Sequence, residues 1–364
     1  MTKIKPLAFY LPQYHPIPEN DKWWGKGFTE WTNVTKAKPL FSGHIQPNLP
    51  ADLGFYDLRV SEAREQQAKI AKEYGVYGFV YYHYWFGNGK QLLETVANEV
   101  LSTKSPNFPF CFCWANESWT GVWHGLKDKS LIKQTYPSDE DLQKHYDYLI
   151  NFFRDDRYIK VENKPLFIIY DPIDLHEHGD KYLEKLNKLA RNDGFDGIYL
   201  VASNRNEDEI GYKKMLYDGK ISHAFNKSWG RHLAKTPNIF KRLIRKATMT
   251  VFKNFRKPQI VDGKKIFAEM NFVKADVETY PMVLPNWDNT PRSGINGNVI
   301  KNATPETLYL QLDKAKNFLK ESELKENFLF IKSWNEWAEG NILEPNRQHG
   351  LKFLETLQQF LSKD

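Results

Sequence analysis

Asn327-Phe328-Leu329-Phe330-Ile331 and, one residue further, Ser333-Trp334-Asn335-Glu336-Trp337-Ala338-Glu339-Gly340-Asn341-Ile342-Leu343-Glu344-Pro345 decide how this chain is read. The first run is short and apolar, the pattern of a buried strand. It gives way to a patch in which two carboxylates three residues apart, Glu336 and Glu339, alternate with two indoles, Trp334 and Trp337. Indoles stack on apolar ring faces and carboxylates move protons, so a buried strand that ends this way predicts a reactive site. A surface turn with two solvated acids would carry the same letters. What the other strands end in separates the two readings.

Working back from that run, β-type segments alternate with helical ones. Pro6–Leu11 is followed by a polar, aromatic, Pro-containing loop from about Pro12 to Leu58, then by a helix over Val60–Tyr74 that Gly75 ends. Val76–Tyr82 precedes a helix over Gln91–Leu101. Phe108–Trp114 precedes a helix that Ser138 caps and that runs to Phe153, with Asp139, Glu140 and Asp141 where the dipole favours acids. Leu166–Tyr170 leads to a helix over Asp180–Arg191, and Gly197–Ala202 to a short one near Glu207–Leu216. Ile221–Phe225 and the proline-flanked Tyr280–Leu284 are weaker strands. Thr304 caps and Pro305 opens a helix to Leu319, and Gly350–Leu361 closes as an amphipathic helix. Eight strands alternating with helices predict an α/β chain, a (β/α)8 TIM barrel forming one catalytic domain over residues 1–364. Its extras are the long loop after strand one and a basic insertion, about residues 227–266, between strands six and seven. A doubly wound open sheet is the competing arrangement, but no glycine-rich turn follows strand one.

Composition narrows the function classes. Of the 364 residues 41% are hydrophobic, enough for a large core, and no apolar run approaches the ~20 residues of a membrane span. Met1-Thr2-Lys3-Ile4-Lys5-Pro6 lacks the apolar stretch of a secretion signal, which sets a cytoplasmic expectation. Cys111 and Cys113, two apart on one strand, read as buried thiols rather than a disulfide. The net charge of +6 is local: Arg231–Lys257 carries +9 with no acid, which leaves −3 elsewhere. Within it, Asn238–Lys253 interleaves apolar and cationic residues at helical spacing. That is either a solvated insertion docked by one face or an interfacial helix meeting anionic lipid through Lys241, Arg242, Arg245 and Lys246. The second reading suits a lipid-linked substrate and a place at the inner face of the membrane. Nucleic acid is not expected, because the tryptophans lie with acids and not with the basic run. Neither a metal nor a cofactor is expected; His176-Glu177-His178 lacks helical ligand spacing.

The 11 tryptophans discriminate best, since none falls in a segment read as helix. Trp23, Trp24 and Trp31 follow strand one and Trp85 strand two; Trp114, Trp119 and Trp123 end or follow strand three. Trp229, Trp287, and Trp334 with Trp337 follow strands six, seven and eight. In a barrel all these positions converge on the carboxyl-end face, where barrel enzymes keep their sites. Polar residues at the same ends suit sugar hydroxyls: Tyr10, Gln13, His83, Asn116, Glu117, Asp171, Asn204, Asn226, Asp288 and Asn335. Taken singly, His83 reads as a packed histidine and Asp171 before Pro172 as the start of a turn. As a set, with Trp31, Tyr82, Trp85, Trp114, Trp119, Trp287 and Trp334, they predict a glycan-binding bowl over Glu336 and Glu339.

Phe9-Tyr10-Leu11-Pro12-Gln13-Tyr14-His15 and Trp23-Trp24-Gly25-Lys26-Gly27-Phe28-Thr29-Glu30-Trp31 resemble the N-terminal signature of the bacterial WbsX, or glycoside hydrolase family 99-like, proteins. Tyr81-Tyr82-His83-Tyr84-Trp85, Trp114-Ala115-Asn116-Glu117-Ser118-Trp119-Thr120 and Asn335-Glu336-Trp337-Ala338-Glu339-Gly340 look like that family's other landmarks. The resemblance implies a (β/α)8 barrel from a cell-surface polysaccharide cluster, such as one for O-antigen or capsule, whose members are labelled glycosyltransferase or glycosidase. The hydrolases of family 99 are retaining endo-α-mannosidases that use a Glu-Trp-x-Glu motif at strand eight. Matched here, Glu336 would assist the sugar 2-hydroxyl in attacking C1 to form a 1,2-anhydro sugar. Glu339 would protonate the leaving oxygen and then activate water. Ala338 stands where those hydrolases have His, which bears on subsite contacts and mannose preference. One carboxyl must stay ionised and the other protonated, which burial and mutual repulsion can arrange across a sugar-sized gap. The alternatives are glycosyl transfer, either on the barrel or on an open nucleotide-sugar fold, and a non-catalytic glycan-binding barrel. The only Asp-x-Asp match, Asp139-Glu140-Asp141, sits in a helix first turn.

Overall fold

The apolar runs become strands because both of their faces are covered, by helices outside and by packed side chains within. In the computed structural model, which describes residues 3–121, 130–179, 181–203, 215–234 and 257–363, eight strands pair in parallel in chain order. They are β1 (Lys5–Tyr10), β2 (Gly78–Trp85), β3 (Phe110–Trp114), β4 (Lys164–Ile169), β5 (Tyr199–Ala202), β6 (Gly219–Ser222), β7 (Glu278–Val283) and β8 (Phe328–Ile331). β1 pairs with β2 from Leu7↔Gly78 to Tyr10↔Tyr81 and with β8 from Lys5↔Phe328 to Ala8↔Ile331, which closes the cylinder. Outside it pack α1 (Ser61–Glu73), α2 (Thr95–Thr103), α3 (Asp139–Phe153), α4 (Tyr182–Asn192), α5 (Ala224–Ala234), α6 (Gly263–Ala268), α7 (Pro305–Lys320) and α8 (Lys352–Leu361). This is a (β/α)8 barrel.

Local signals account for several helix ends. Ser138 accepts from the Asp141 backbone N–H at the start of α3, and Thr304 donates its own backbone N–H to Thr307 Oγ1 at 2.9 Å in the capping box of α7. Inside the barrel Phe9 meets Tyr82 at 5.5 Å and Phe330 at 6.0 Å between ring centroids. Cys111 and Cys113 are buried free thiols.

Four details differ from the sequence expectation. β2 runs on through His83, Tyr84 and Trp85, and Gln91–Leu92 folds back against it before α2 opens at Thr95. β6 stops at Ser222, and Ala224 and Phe225 already belong to α5. Pro281 lies inside β7, opposite Ser222 of β6; pairing with β8 begins one residue later, at Met282, so the missing N–H breaks no bond on that side. Finally, tryptophans do occur in helices. Pro18–Trp24 and Glu30–Lys36, in the loop after β1, hold Trp23, Trp24 and Trp31, and α5 holds Trp229. The loop helices are seven-residue elements of about two turns, opened by Pro18 and by the Thr29 capping box, too short for the window of about 11–18 residues in which helical periodicity is read.

Asn204, Trp123, most of the expected helix near Glu207–Leu216, and Lys241, Arg242, Arg245 and Lys246 lie outside the described residues. Beyond the basic run, Gln259–Asp262 pairs in parallel with Asn298–Lys301. Among the described residues no helix is long and apolar enough to cross a membrane.

Candidate active site

Past β8 the chain doubles back. Asn335–Glu336 pairs antiparallel with Asn341–Ile342, and Trp337–Glu339 between them makes one turn of 3-10 helix. Gly340 ends the turn at φ +68°, where a Cβ would stand 2.8 Å from the Asp288 backbone nitrogen. Conformation and space both call for glycine there. The hairpin is fastened to the first strand: Asn335 accepts from the Leu11 N–H at 2.7 Å and donates to the Leu11 carbonyl at 3.0 Å, and the Tyr14 hydroxyl donates to the Asn335 carbonyl. From β7, the Asp288 N–H donates to the Glu339 carbonyl at 2.7 Å. Behind the turn, buried Glu344 accepts from Trp337 Nε1 (2.6 Å), Gln67 (2.6 Å) and the Tyr56 hydroxyl (2.8 Å). Burial raises its carboxyl to about 7 despite those donors.

Held this way, Glu336 and Glu339 reach a cleft at the carboxyl ends of the strands with about 990 Å³ of open space. Tyr82, Tyr84, Trp24, Trp119 and Tyr170 supply its aromatic surface, and Gln13, Glu117, Arg292 and Lys332 its polar one. Trp119 stands edge-on to Tyr84 at 5.2 Å and to Trp23 at 5.9 Å, so the walls are braced by ring contacts. Asn20, fully buried in the same wall, makes no side-chain hydrogen bond among the described residues.

The two acids line the same cleft, and each feels the other's charge. Burial first, and then the charge of Glu339, push the Glu336 carboxyl up to about 8; Lys332 and Arg292 oppose that rise. Glu339 is held by Arg292, whose Nη1 donates to it at 2.6 Å. Nε of the same guanidinium donates to Glu30 Oε1 at 3.1 Å, and Nη2 donates to the same oxygen at 2.5 Å. Burial works against the charge of Arg292, and Glu30 and Glu339 outweigh it. Two buried carboxyls in one cleft, the first pushed up by burial and by the charge of the second, and the second held by a cation, are what an acid–base pair requires near neutral pH.

The structure brings Gln13, Tyr82, Glu117, Trp119, Glu336 and Glu339 into the cleft. Other expected contacts stand elsewhere, and strand pleating explains most of them. Side chains alternate faces, so Tyr82 and Tyr84 point inward while His83 and Trp85 point out against α3. His83 shares a 2.8 Å Nε2–Nε2 hydrogen bond with His145, and Trp85 stacks on His145 at 4.6 Å. Trp114, fully buried, packs against His145 and Tyr182. Tyr10 points toward α1 and donates to Gln67 at 2.6 Å. Trp334 lies in the core against Phe79, and Trp31 packs among Tyr14, Tyr56 and Trp337.

The polar expectations divide similarly. Asn116 exchanges hydrogen bonds with the Asp171 backbone (2.7 and 2.8 Å), tying strand ends together, and Asp171 caps the helix Pro172–His178. Asp288 accepts from His44 and Gln46, each at 2.7 Å; burial pushes its carboxyl up, and these donors with Thr290 hold it below the usual range. Asn335 is occupied with Leu11, while Asn226 and Trp287 lie outside the cleft lining, Trp287 beneath Lys332 at 5.8 Å. Arg292, Lys332, Tyr84 and Tyr170 were not expected, whereas Trp24 was among the tryptophans expected at this face. Tyr84 was findable, two residues from Tyr82 on one strand; Arg292, on the short helix Thr290–Ser293, carried no signal.

Fold and site together define a closed parallel (β/α)8 barrel with a pair of acids among aromatic rings at its mouth. The chain belongs to the family described as Glycosyltransferase WbsX, which it matches over residues 6–357. It is 36% identical over 359 residues to the WxcX proteins of two strains of Xanthomonas campestris pv. campestris, covering 98% of this chain and 49% of theirs. The chain thus spans about half the length of these curated relatives. A solved glycoside hydrolase-like protein superposes with a TM-score of 0.60 at 13% identity, covering 99% of this chain and 94% of that one. The GH99 endo-alpha-mannosidase from Bacteroides thetaiotaomicron superposes at 0.56 and 14%, covering 98% and 96%. At such identities the likeness is one of fold.

Proposed function

We propose that this protein is a retaining, endo-acting glycoside hydrolase that cleaves a bacterial polysaccharide or oligosaccharide with mannosidase-like chemistry. The observation that carries the reading is the placing of Glu336 and Glu339 together in one aromatic-walled cleft, with Glu336 pushed up by burial and by the charge of Glu339. A sugar whose 2-hydroxyl donates to Glu336 favours the ionised form of that acid, so the proton of Glu336 passes to Glu339 as the substrate seats. Glu336 then takes the 2-hydroxyl proton while O2 attacks C1. Glu339 gives its proton to the departing glycosidic oxygen, and a 1,2-anhydro sugar results. In the second half Glu339 takes a proton from the water attacking C1, and Glu336 returns its proton to O2. Two inversions at C1 retain its configuration. Tyr82, Tyr84, Trp24 and Trp119 offer ring faces to the sugar, and Gln13 and Glu117 offer polar contacts.

The family description favours a second reading on the same residues, in which an acceptor sugar hydroxyl replaces water in O-antigen or capsule assembly. A lipid-linked glycan at the cytoplasmic face of the membrane belongs with that reading. The test incubates the chain with mannose- and rhamnose-containing surface polysaccharides, with and without an acceptor or nucleotide sugar. Shortened glycans with retained anomeric configuration are expected, and Glu336→Gln and Glu339→Gln should each lower turnover by roughly 10²–10⁴-fold. Longer products only with acceptor would select transfer. A Glu339→Gln variant that binds and turns over like the parent would leave a glycan-binding barrel.

A further inference from the structure

Arg292 stands on the short helix Thr290–Ser293 and divides its fork between two carboxylates of different standing. Glu339, on one side, faces the cleft. Glu30, on the other, opens the helix Glu30–Lys36, is fully buried, and is not part of the cleft lining, so no sugar in the cleft meets it. Its Oε1 takes both guanidinium contacts, and its Oε2 has no hydrogen bond among the described residues.

In the reaction proposed above, on which this inference rests, Glu339 is neutral as acid and ionised as base. A buried guanidinium whose sole partner was Glu339 would be stranded each time that carboxyl took a proton, and would resist the change. We propose that Glu30 is a fixed counter-charge that keeps Arg292 paired through both protonation states of Glu339, so that Arg292 orients the acid without locking it ionised. Arg292 and Glu30 are then positioning residues rather than catalytic ones. The other groups about Glu339 are Glu336 on its own turn, Lys332 after β8, Glu117 after β3, and Tyr82 and Tyr84 from β2. Asp288, which reaches Glu339 through its backbone N–H, turns its carboxylate to His44 and Gln46.

The two charges should act on the pair with opposite sign. Carboxyl titration by ¹³C NMR, on the full chain with labelled glutamate and no glycan, reads this directly; Glu336→Gln and Glu339→Gln assign the signals. Arg292→Gln should raise the apparent pKa values of the pair and Glu30→Gln should lower them, each by about one unit or more. The double variant strands no buried charge, so it is the one expected to fold if a single variant does not, and its pair should titrate near the wild-type values. Shifts of the same sign, or none in folded variants, would overturn the proposal. In turnover, Glu30→Gln should lower kcat for sugar leaving groups and spare aryl glycosides whose leaving group needs no proton. Because the titration uses no substrate, failure to find turnover would remove the hydrolase reading, whereas loss of the opposed shifts would remove the counter-charge.

Discussion

Tyr10 and Tyr82 sit at the ends of neighbouring strands and differ in what they touch, one Gln67 outside the barrel and the other the cleft. Tyr10→Phe should cost about 1 kcal/mol of stability through the lost hydrogen bond and leave glycan affinity unchanged. Trp119→Ala should weaken glycan binding by about 1 kcal/mol, roughly fivefold, through the lost ring face. Calorimetric titration with a bound oligosaccharide separates the two, and equal affinity losses would contradict their placement. Gly340→Ala sets an L side chain at φ +68° against the Asp288 backbone, and should cost about 1–3 kcal/mol by urea unfolding while displacing Glu339. At this scale the sequence was half legible. Strand-end position brought forward Gln13, Tyr82, Glu117 and Trp119, all of which line the cleft. It could not tell inward from outward residues until the strand's register was known, which is why His83, Trp85 and Trp114 proved to be packing between barrel and helices. Arg292 was hidden because its partners, Glu30 and Glu339, are 262 and 47 residues away.

Helix α3 is mounted on β2 through His83 and His145, a pair of imidazoles between Phe112, Trp85 and Tyr148. Burial lowers both, His83 to about 3, and the charge of either would further disfavour the other. A histidine lowered on folding contributes stability that is full above its unfolded value near 6.5 and is lost as pH falls below it toward the folded value. His83 alone should therefore remove about 2 kcal/mol between pH 7 and pH 5, seen as a lower urea midpoint. A flat profile over that range would mean that the pair accepts a proton in place. The elements themselves were the most readable level, because apolar runs and caps such as Ser138 and Thr304 are local signals. The loop helices escaped notice, being shorter than the window over which a helical period is read.

Over the whole molecule, closure was legible from the alternation of eight strands and the absence of a glycine-rich turn, while the packing of the basic insertion was not. If the segment meets anionic lipid, co-sedimentation with liposomes containing phosphatidylserine should fall when Lys241, Arg242, Arg245 and Lys246 are replaced together, by about 1 kcal/mol per cation. Unchanged co-sedimentation would leave it a solvated insertion. The bond between Leu11 and Asn335 spans 324 residues. During synthesis the first strand leaves the ribosome with both main-chain groups of Leu11 waiting for an amide that is translated near the end of the barrel. The proposed glycan processing should therefore switch on late and abruptly as the nascent polypeptide lengthens, and its turnover would then read out completed closure.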